Sequence, residues 1–335
     1  MKRRLARTTV IAVLAVLIVG AAAVSAHPNR TGKTQAAVKV ALVLPCPTND
    51  GSWCQQAYTA AKQLQKEGLI SLTYTQNAPQ DTASASALME RYAANGAQLV
   101  IADSSWQDAA TAFAKKFPNV PVVYAGGGAV SGKVSTFEEP IYIPAYLAGM
   151  LAAGISKSHV IGGIAAFNIP LCHAEMTSFG AGAKAVNPAV KELVTYTGDW
   201  NDASKGKSAV ETQSSQKADV FIACGGGPDA GLISALQSNP SLSAFSYVGN
   251  ENAKAPKQMV ASLVYDLYPI FKAIVGDVSK GTYSGKDYNL GGKSFNLVSN
   301  SGYPAAAIPA SVLTTEKAKA AAILAGKFTV PYAAT

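Results

Sequence analysis

Short apolar, β-branched runs alternate with helix-forming stretches along almost the whole chain, beginning at Val38-Lys39-Val40-Ala41-Leu42-Val43-Leu44. Strands are expected at 38–44, 69–76, 97–103, 119–125, 160–166, 190–197, 219–224 and 245–249. Helices are expected at 54–67, 83–95, 107–117, 141–156, 173–186, 203–216, 229–238 and 256–278. Within one of these, Leu88, Met89, Tyr92 and Ala93 show the i, i+4 spacing of a buried stripe. Parallel strands need long crossover connections, so the alternation implies βαβ units and parallel sheets covered by helices on both faces. A chain of 335 residues exceeds a typical single domain. The expected class is therefore α/β, with two doubly wound parallel-sheet lobes joined by a hinge.

The alternation pauses at 126–140, where Gly126-Gly127-Gly128 and Ser131-Gly132 fall, and a new series starts with the 141–156 helix. This places a first lobe at 38–140 plus about 253–290, and a second at 141–252 plus about 291–335. The further crossings are expected in 245–252 and in the loop-rich 284–310 stretch. Several crossings between lobes make a hinge about which they close on a ligand.

Residues 1–26 read as an export signal. Lys2, Arg3, Arg4 and Arg7 form a basic head, Val10 to Val24 is uncharged and apolar, and Val24-Ser25-Ala26 offers a small-x-small cleavage site. The apolar run falls short of the roughly 20 residues of a spanning helix. No Cys follows it closely, so lipid attachment is not expected. Residues 27–37 read as a polar tether, and the mature chain as extracytoplasmic, whether periplasmic or secreted. Removing the four basic residues takes the formal charge from +8 to +4. No Lys or Arg cluster is interleaved with aromatics, so nucleic acid is not indicated as a partner.

Four cysteines in an oxidising compartment point to disulfides rather than metal ligands. Cys46 and Cys54 bracket the loop at 49–53, whereas Cys172 and Cys224 each follow or end a strand of the second lobe. We favour the pairs 46–54 and 172–224. Three connectivities are open, and four buried free thiols is the alternative to all of them. Zinc is disfavoured, because no CxxC occurs and Cys172-His173 has no second close pair.

Catalytic and nucleotide motifs are thin. Gly206-Lys207-Ser208 resembles the end of a P-loop, but the glycine required five positions earlier is Asn201. Gly225, Gly227 and Ala230 match the looser dinucleotide fingerprint with no clear acidic partner after it. There is no Gly-x-Ser-x-Gly elbow. The three histidines, His27, His159 and His173, lie apart, and His173 does not face its helical neighbour Cys172. An enzyme and a cofactor are therefore not expected.

What converges is a set of polar and aromatic loops at strand ends. They are Asn49-Asp50-Gly51-Ser52-Trp53, Ser104-Ser105-Trp106-Gln107-Asp108, Phe167-Asn168-Ile169-Pro170, Gly225-Gly226-Gly227 and Asn250-Glu251-Asn252, with Tyr265 and Asp266 beyond. In open parallel sheets such loops share the carboxyl edge, where small ligands bind. Each has a plainer reading: Asp108 as a helix cap, Asn168 as a turn, Trp53 as core. The recurrence of aromatic and carboxylate side chains at several strand ends favours a cleft that stacks a flat ligand and bonds its polar edge.

In these residues the chain resembles the basic membrane protein family, extracytoplasmic binding proteins of ABC importers related to the purine nucleoside receptor lipoproteins. Asn49-Asp50-Gly51-Ser52-Trp53 is similar to that family's ligand loop, and Ser105-Trp106-Gln107-Asp108 to its aromatic-x-Asp motif. Tyr146-Leu147-Ala148-Gly149 resembles a helix signature. Ala165 to Pro170 and Gly182 to Pro188 resemble its second-lobe segments, and Trp200-Asn201-Asp202 with Lys205 its Trp-x-Asp-x-x-Lys motif.

The resemblance implies a type I periplasmic-binding-protein fold and a purine nucleoside or nucleobase as ligand, with an ABC permease and its ATPase as partners and a monomeric binding subunit. It also implies that Trp53 and Phe167 stack the base while Asp50 and Asp108 bond its polar edges or the sugar. The loop at Gly249-Asn250-Glu251 takes the place of an acidic sugar contact. There Asn250 replaces the carboxylate, with Glu251 one position on, and Tyr265, followed by Asp266, stands for a cleft Lys. A free base or another small polar molecule such as a sugar or signal fits these departures. A sensor that presents its ligand to a membrane receptor would use the same cleft, and an extracytoplasmic nucleoside hydrolase is the enzymatic rival.

Overall fold

The computed structural model describes residues 36–137 and 140–333. The expected signal peptide and most of the expected tether lie outside the described residues. The first lobe runs β1 (Val38–Val43), α1 (Trp53–Lys66), β2 (Ile70–Thr75), α2 (Thr82–Ala94), β3 (Leu99–Ala102), α3 (Gln107–Lys116), β4 (Val122–Ala125) and β5 (Val134–Phe137). The chain continues with α4 (Tyr142–Ile155), β6 (Val160–Ala165), α5 (Pro170–Val186), β7 (Lys191–Tyr196), α6 (Ala203–Ser215), β8 (Val220–Cys224), α7 (Gly226–Ser238) and β9 (Ser243–Ser246). It ends with β10 (Met259–Tyr265), α8 (Tyr268–Ser279), β11 (Phe295–Ser299) and α9 (Ala310–Leu324).

The strands form two sheets, ordered β2-β1-β3-β4-β5 and β11-β10-β9-β8-β6-β7. All neighbours pair in parallel except β11, which runs antiparallel to β10. β3, β4 and β8 are buried at every position, as parallel strands covered on both faces must be. In lobe 1, Ala57, Ala61 and Leu64 of α1 cover one face, and Met89 of α2 with Phe113 of α3 cover the other. In lobe 2, α4 and α5 cross very closely. A Cβ added at Gly149 would overlap the Phe179 carbonyl, and one at Gly182 the Tyr146 carbonyl, so both crossing points require glycine.

The observed architecture is the expected one of two parallel-sheet lobes, with differences in the last third. The 256–278 stretch is not one helix: it divides into β10 and α8. Met259-Val260-Ala261-Ser262-Leu263-Val264-Tyr265 is buried at every position but Val264, so it lacks the polar face of a surface helix and fits a sheet interior. Pro269 then stands at the start of α8.

Because β10 pairs with β9 and β11, it belongs to the second sheet, not to the first lobe as 253–290 was expected to. α8 alone returns to lobe 1, where it packs on α1 and β1, and Asp287 bridges Thr136 of β5. The chain thus passes between lobes after β5, between β10 and α8, and between Asp287 and β11. The crossing expected in 245–252 lies after Tyr265 instead. β5, β11 and α9 were not anticipated. β5 spans only four residues behind a glycine-rich stretch. Among the described residues, no helix is long and apolar enough to cross a membrane.

Candidate functional site

In lobe 1 the loop between β1 and α1 is closed by a Cys46–Cys54 disulfide. Asp50 is exposed but turned onto the helix start. Its Oδ1 accepts from the Ser52 and Gln55 backbone N–H groups at 2.9 and 3.0 Å, and its Oδ2 from Cys54 N–H at 3.1 Å. Three of the N–H groups at the head of α1 are satisfied by one carboxylate. In this arrangement Asp50 orders the loop. Asn49 is exposed at the loop tip.

Trp53, half-buried, is the first residue of α1, and its Nε1 donates to the Asp103 carbonyl at 3.0 Å. That bond ties the β1–α1 loop to the end of β3, where Asp103 is fully buried. The Trp53 ring lies 5.6 Å from Tyr265 at 36°, and Tyr265 stacks flat on Phe295 at 4.6 Å and 5°. Tyr265 is fully buried in this ladder, so it is a packing residue rather than the exposed cleft side chain the sequence suggested. Asp266 is exposed and accepts the Tyr268 N–H at 3.1 Å, beginning α8.

The next loop carries Ser105 and Asp108 on the surface, with Trp106 buried between them against the core of α2 and α3. A depression of about 340 Å³ opens here on the carboxyl edge, lined by Gln80, Thr82, Ser105, Asp108, Tyr124 and Gly127 among others. Gln107 anchors the glycine turn beside it, its Oε1 accepting from Tyr124 hydroxyl at 3.1 Å and Ala129 N–H at 3.0 Å. A depression of about 350 Å³ at the opposite, amino edge, around Gln98, Asn119 and Tyr283, lies away from all of these loops.

In lobe 2, Phe167 and Trp200 form a tilted pair with centroids 5.5 Å apart at 51°. The Trp200 carbonyl accepts the Gly227 N–H at 2.7 Å, which fixes it to the head of α7, where Gly226 is exposed. Gly225 has φ of 116°, and a Cβ there would lie 3.1 Å from the Trp200 ring, so glycine both turns the chain and makes room for the indole. The Cys172–Cys224 disulfide ties the α5 start to the end of β8 directly below this turn. Both favoured pairings are thus formed, and no described cysteine is free. Asn168 is exposed beside Phe167, and its Oδ1 lies 3.0 Å from His173 Nδ1.

The two lobes meet where the turn after β9 touches the loop after β1. A Cβ at Gly249 would overlap the Gly51 carbonyl, and one at Gly51 would come within 2.9 Å of Glu251 Oε1. Val248 has φ of 60°, a left-handed conformation costly for a β-branched residue. Three bonds over-determine that turn: Asp229 accepts Tyr247 N–H at 3.1 Å, Ser246 hydroxyl donates to Gly249 carbonyl at 3.0 Å, and Tyr265 N–H to Val248 carbonyl at 3.0 Å. Glu251 is buried and paired with Lys254 at 2.5 Å, while Asn250 is exposed and accepts Asn252 N–H at 3.3 Å. Behind the turn, burial pushes the Asp229 carboxyl up to about 8, and burial with the Asp229 charge raises fully buried Glu175 well above the usual range.

Structure and sequence agree that these loops share carboxyl edges. Trp53 faces Tyr265, and Phe167 faces Trp200, a residue visible in the Trp-Asn-Asp run but not singled out as ligand-facing. Gly249 and Asp103 were missed because nothing local marks a close approach or a distant carbonyl. Among the described residues, the grouping of potential metal-ligand atoms is Cys46, Asp50 and Cys54. Both sulfurs are consumed by the disulfide, so it is not a thiolate metal site.

Residues 37–294 match the family model described as ABC transporter substrate-binding protein PnrA-like. The chain is 29% identical over 188 residues to the purine-binding protein BAB2_0673 of Brucella abortus, a match covering 55% of this chain and 53% of that one. The chain therefore spans about half the length of that relative. It is 28% identical over 244 residues to the ABC transporter nucleoside-binding protein BmpA of Lactococcus lactis, covering 70% and 68%. In fold it is similar to an ABC transporter solute-binding protein from Conexibacter woesei, with a TM-score of 0.71 at 22% identity over 88% of this chain and 99% of that one.

Proposed function

The chain belongs to the Bmp family of PnrA-like ABC transporter substrate-binding proteins, and from that premise we propose that it captures a purine base or nucleoside between its lobes. The family model is one of ABC transporter substrate-binding proteins, so the role proposed is binding and not catalysis. The partners proposed here are accordingly a membrane permease and its ATPase, met outside the cytoplasm after removal of residues 1–26.

The observation that carries the reading is the presence of an aromatic side chain at the carboxyl edge of each lobe. Trp53 projects from the first turn of α1, and the Phe167–Trp200 pair sits at the ends of β6 and β7. A flat heterocycle gains about 1–3 kcal/mol per stacking contact. Polar groups beside the platforms, Ser105, Asp108 and Asn168, supply edge contacts, and leaving one buried donor or acceptor unpaired costs about 1–3 kcal/mol, which gives selectivity. The relatives named as purine-binding and nucleoside-binding proteins support the ligand class. The inner end of the cleft supports a base over a nucleoside, because Gly249 and Gly51 touch there and Glu251 is already paired with Lys254.

A thermal-shift screen of the mature protein against bases, nucleosides, sugars and amino acids tests it. Ligand at 100 times its dissociation constant stabilises the native state by about 2.7 kcal/mol. A shift with purines supports the proposal, and shifts confined to sugars or amino acids sink it.

A further inference from the structure

Beside the lobe 2 platform, three side chains from three elements meet at one ring nitrogen. His173, in the first turn of α5, places Nδ1 3.0 Å from Asn168 Oδ1 in the loop after β6 and 3.3 Å from the Tyr196 hydroxyl at the end of β7. Burial raises the Tyr196 hydroxyl further above its ordinary range, so it arrives carrying its hydrogen. A neutral imidazole nitrogen either donates or accepts, never both.

Two arrangements follow. In the first, Nδ1–H donates to Asn168 Oδ1, and the amide oxygen is held inward with the NH2 group outward. In the second, Nδ1 accepts from Tyr196 and the amide turns its NH2 group inward. The first presents two donors to the cleft, the second a carbonyl acceptor. The structure places the amide oxygen, not the amide nitrogen, against the ring nitrogen, which is the first arrangement.

We propose that His173 is a positioning residue that locks Asn168 with its amide N–H donors toward the ligand. Capture then selects flat heterocycles presenting a hydrogen-bond acceptor, a ring nitrogen or carbonyl oxygen, at that edge. The inference rests on the proposed capture of a base at the aromatic platforms. It adds which edge chemistry is read and by which side chain. Asn168 is exposed and, among the described residues, its Nδ2 has no protein partner.

The test is a calorimetric titration of the mature protein with adenine and its 1-, 3- and 7-deaza analogues, each analogue lacking one ring acceptor. One deaza analogue is expected to bind the unmodified protein at least fivefold more weakly than its parent base. That difference disappears in Asn168→Ala and in His173→Ala. It returns in His173→Asn, whose Nδ2 overlies the position of imidazole Nδ1. Nitrogen-15 spectra of the His173 ring are expected to show the Nδ1–H tautomer. An Nε2–H tautomer overturns the lock. An identical deaza profile in unmodified and Asn168→Ala proteins overturns this inference alone. Absence of binding to every base by unmodified protein overturns the capture reading and this inference with it.

Discussion

The loop after β1 and the loop after β6 occupy equivalent places in the two lobes, yet they are held differently. In lobe 1 the restraint is local: Cys46 bonds Cys54 across the loop itself, and Asp50 closes onto the backbone of the helix that follows. In lobe 2 the helix begins at Pro170 without a side-chain cap, and Cys172 reaches to Cys224 at the end of another strand. One loop is thus prefolded by its own residues, while the other is positioned by its neighbours in the sheet. The difference teaches that equivalent geometry can come from short-range or long-range constraint, and the two respond differently to damage.

Removing each bridge gives the largest contrast. In the chain-entropy model a sequence separation of 52 contributes about 4 kcal/mol and one of 8 about 2.5 kcal/mol. Replacing Cys172 and Cys224 by Ala is expected to lower the urea unfolding free energy by that larger amount, and replacing Cys46 and Cys54 by the smaller. Equal losses would break the comparison. Gly182→Ala drives a methyl into the Tyr146 carbonyl and is expected to cost about 3 kcal/mol, read from the same denaturation curves.

Affinity sharpens the comparison at the platforms. Trp53→Ala and Trp200→Ala are each expected to weaken purine binding about tenfold or more while the folded state persists, measured by calorimetry and far-UV dichroism. An effect at Trp53 alone would mean that Trp200 contributes no stacking and leaves Phe167 as the lobe 2 platform. Next in size, Asp50→Ala removes three charge-assisted bonds at the α1 start and is expected to lower stability by about 1–2 kcal/mol, read as a drop in melting temperature.

A pH slope of opposite sign is expected from groups in the two lobes. Burial raises Asp229 to about 8 and Glu192 to about 7 in lobe 2. Their unfolded forms release protons near the ordinary carboxylate values of about 4, so the folded state holds protons that the unfolded chain has lost. Their contribution to stability therefore falls as pH rises from about 4 to about 8 and is level beyond. In lobe 1, hydrogen bonds from Tyr268, the Ser84 backbone and Lys116 lower Glu67, Asp81 and Glu90 respectively. Their contribution is present above the ordinary range and is lost as pH falls through the lowered values. Asp229→Asn keeps an oxygen for Tyr247 N–H and is expected to flatten the decline in melting temperature between about pH 4 and 8. An unchanged decline would assign it elsewhere.

Much of the fold was legible because parallel strands buried on both faces write themselves as apolar runs. The expected strand at 219–224 corresponds to β8, and the expected helix at 203–216 to α6. The same property misled at Met259 to Tyr265, where an apolar run abutting Tyr268-Pro269-Ile270-Phe271 reads equally as one long helix. Pairing partners, not local pattern, decide that case. The Cys46–Cys54 bridge could be read from spacing, since both ends lie in one connection. Tyr265 could not be placed, because its burial depends on Phe295, thirty positions away on an antiparallel neighbour. The charge of Asp50 is visible in sequence, whereas the three N–H groups from which it accepts are not.

At the contact between Gly51 and Gly249, main chain rests on main chain. Such a stop works like a machined gauge: its dimension comes from atoms common to every residue, and its tolerance from what is left off. A single added carbon at Gly249 is therefore a shim, wedged against the Gly51 carbonyl and holding the jaws apart. Fitting Gly249→Ala would turn a clamp into a spacer, a handle for studying the open form.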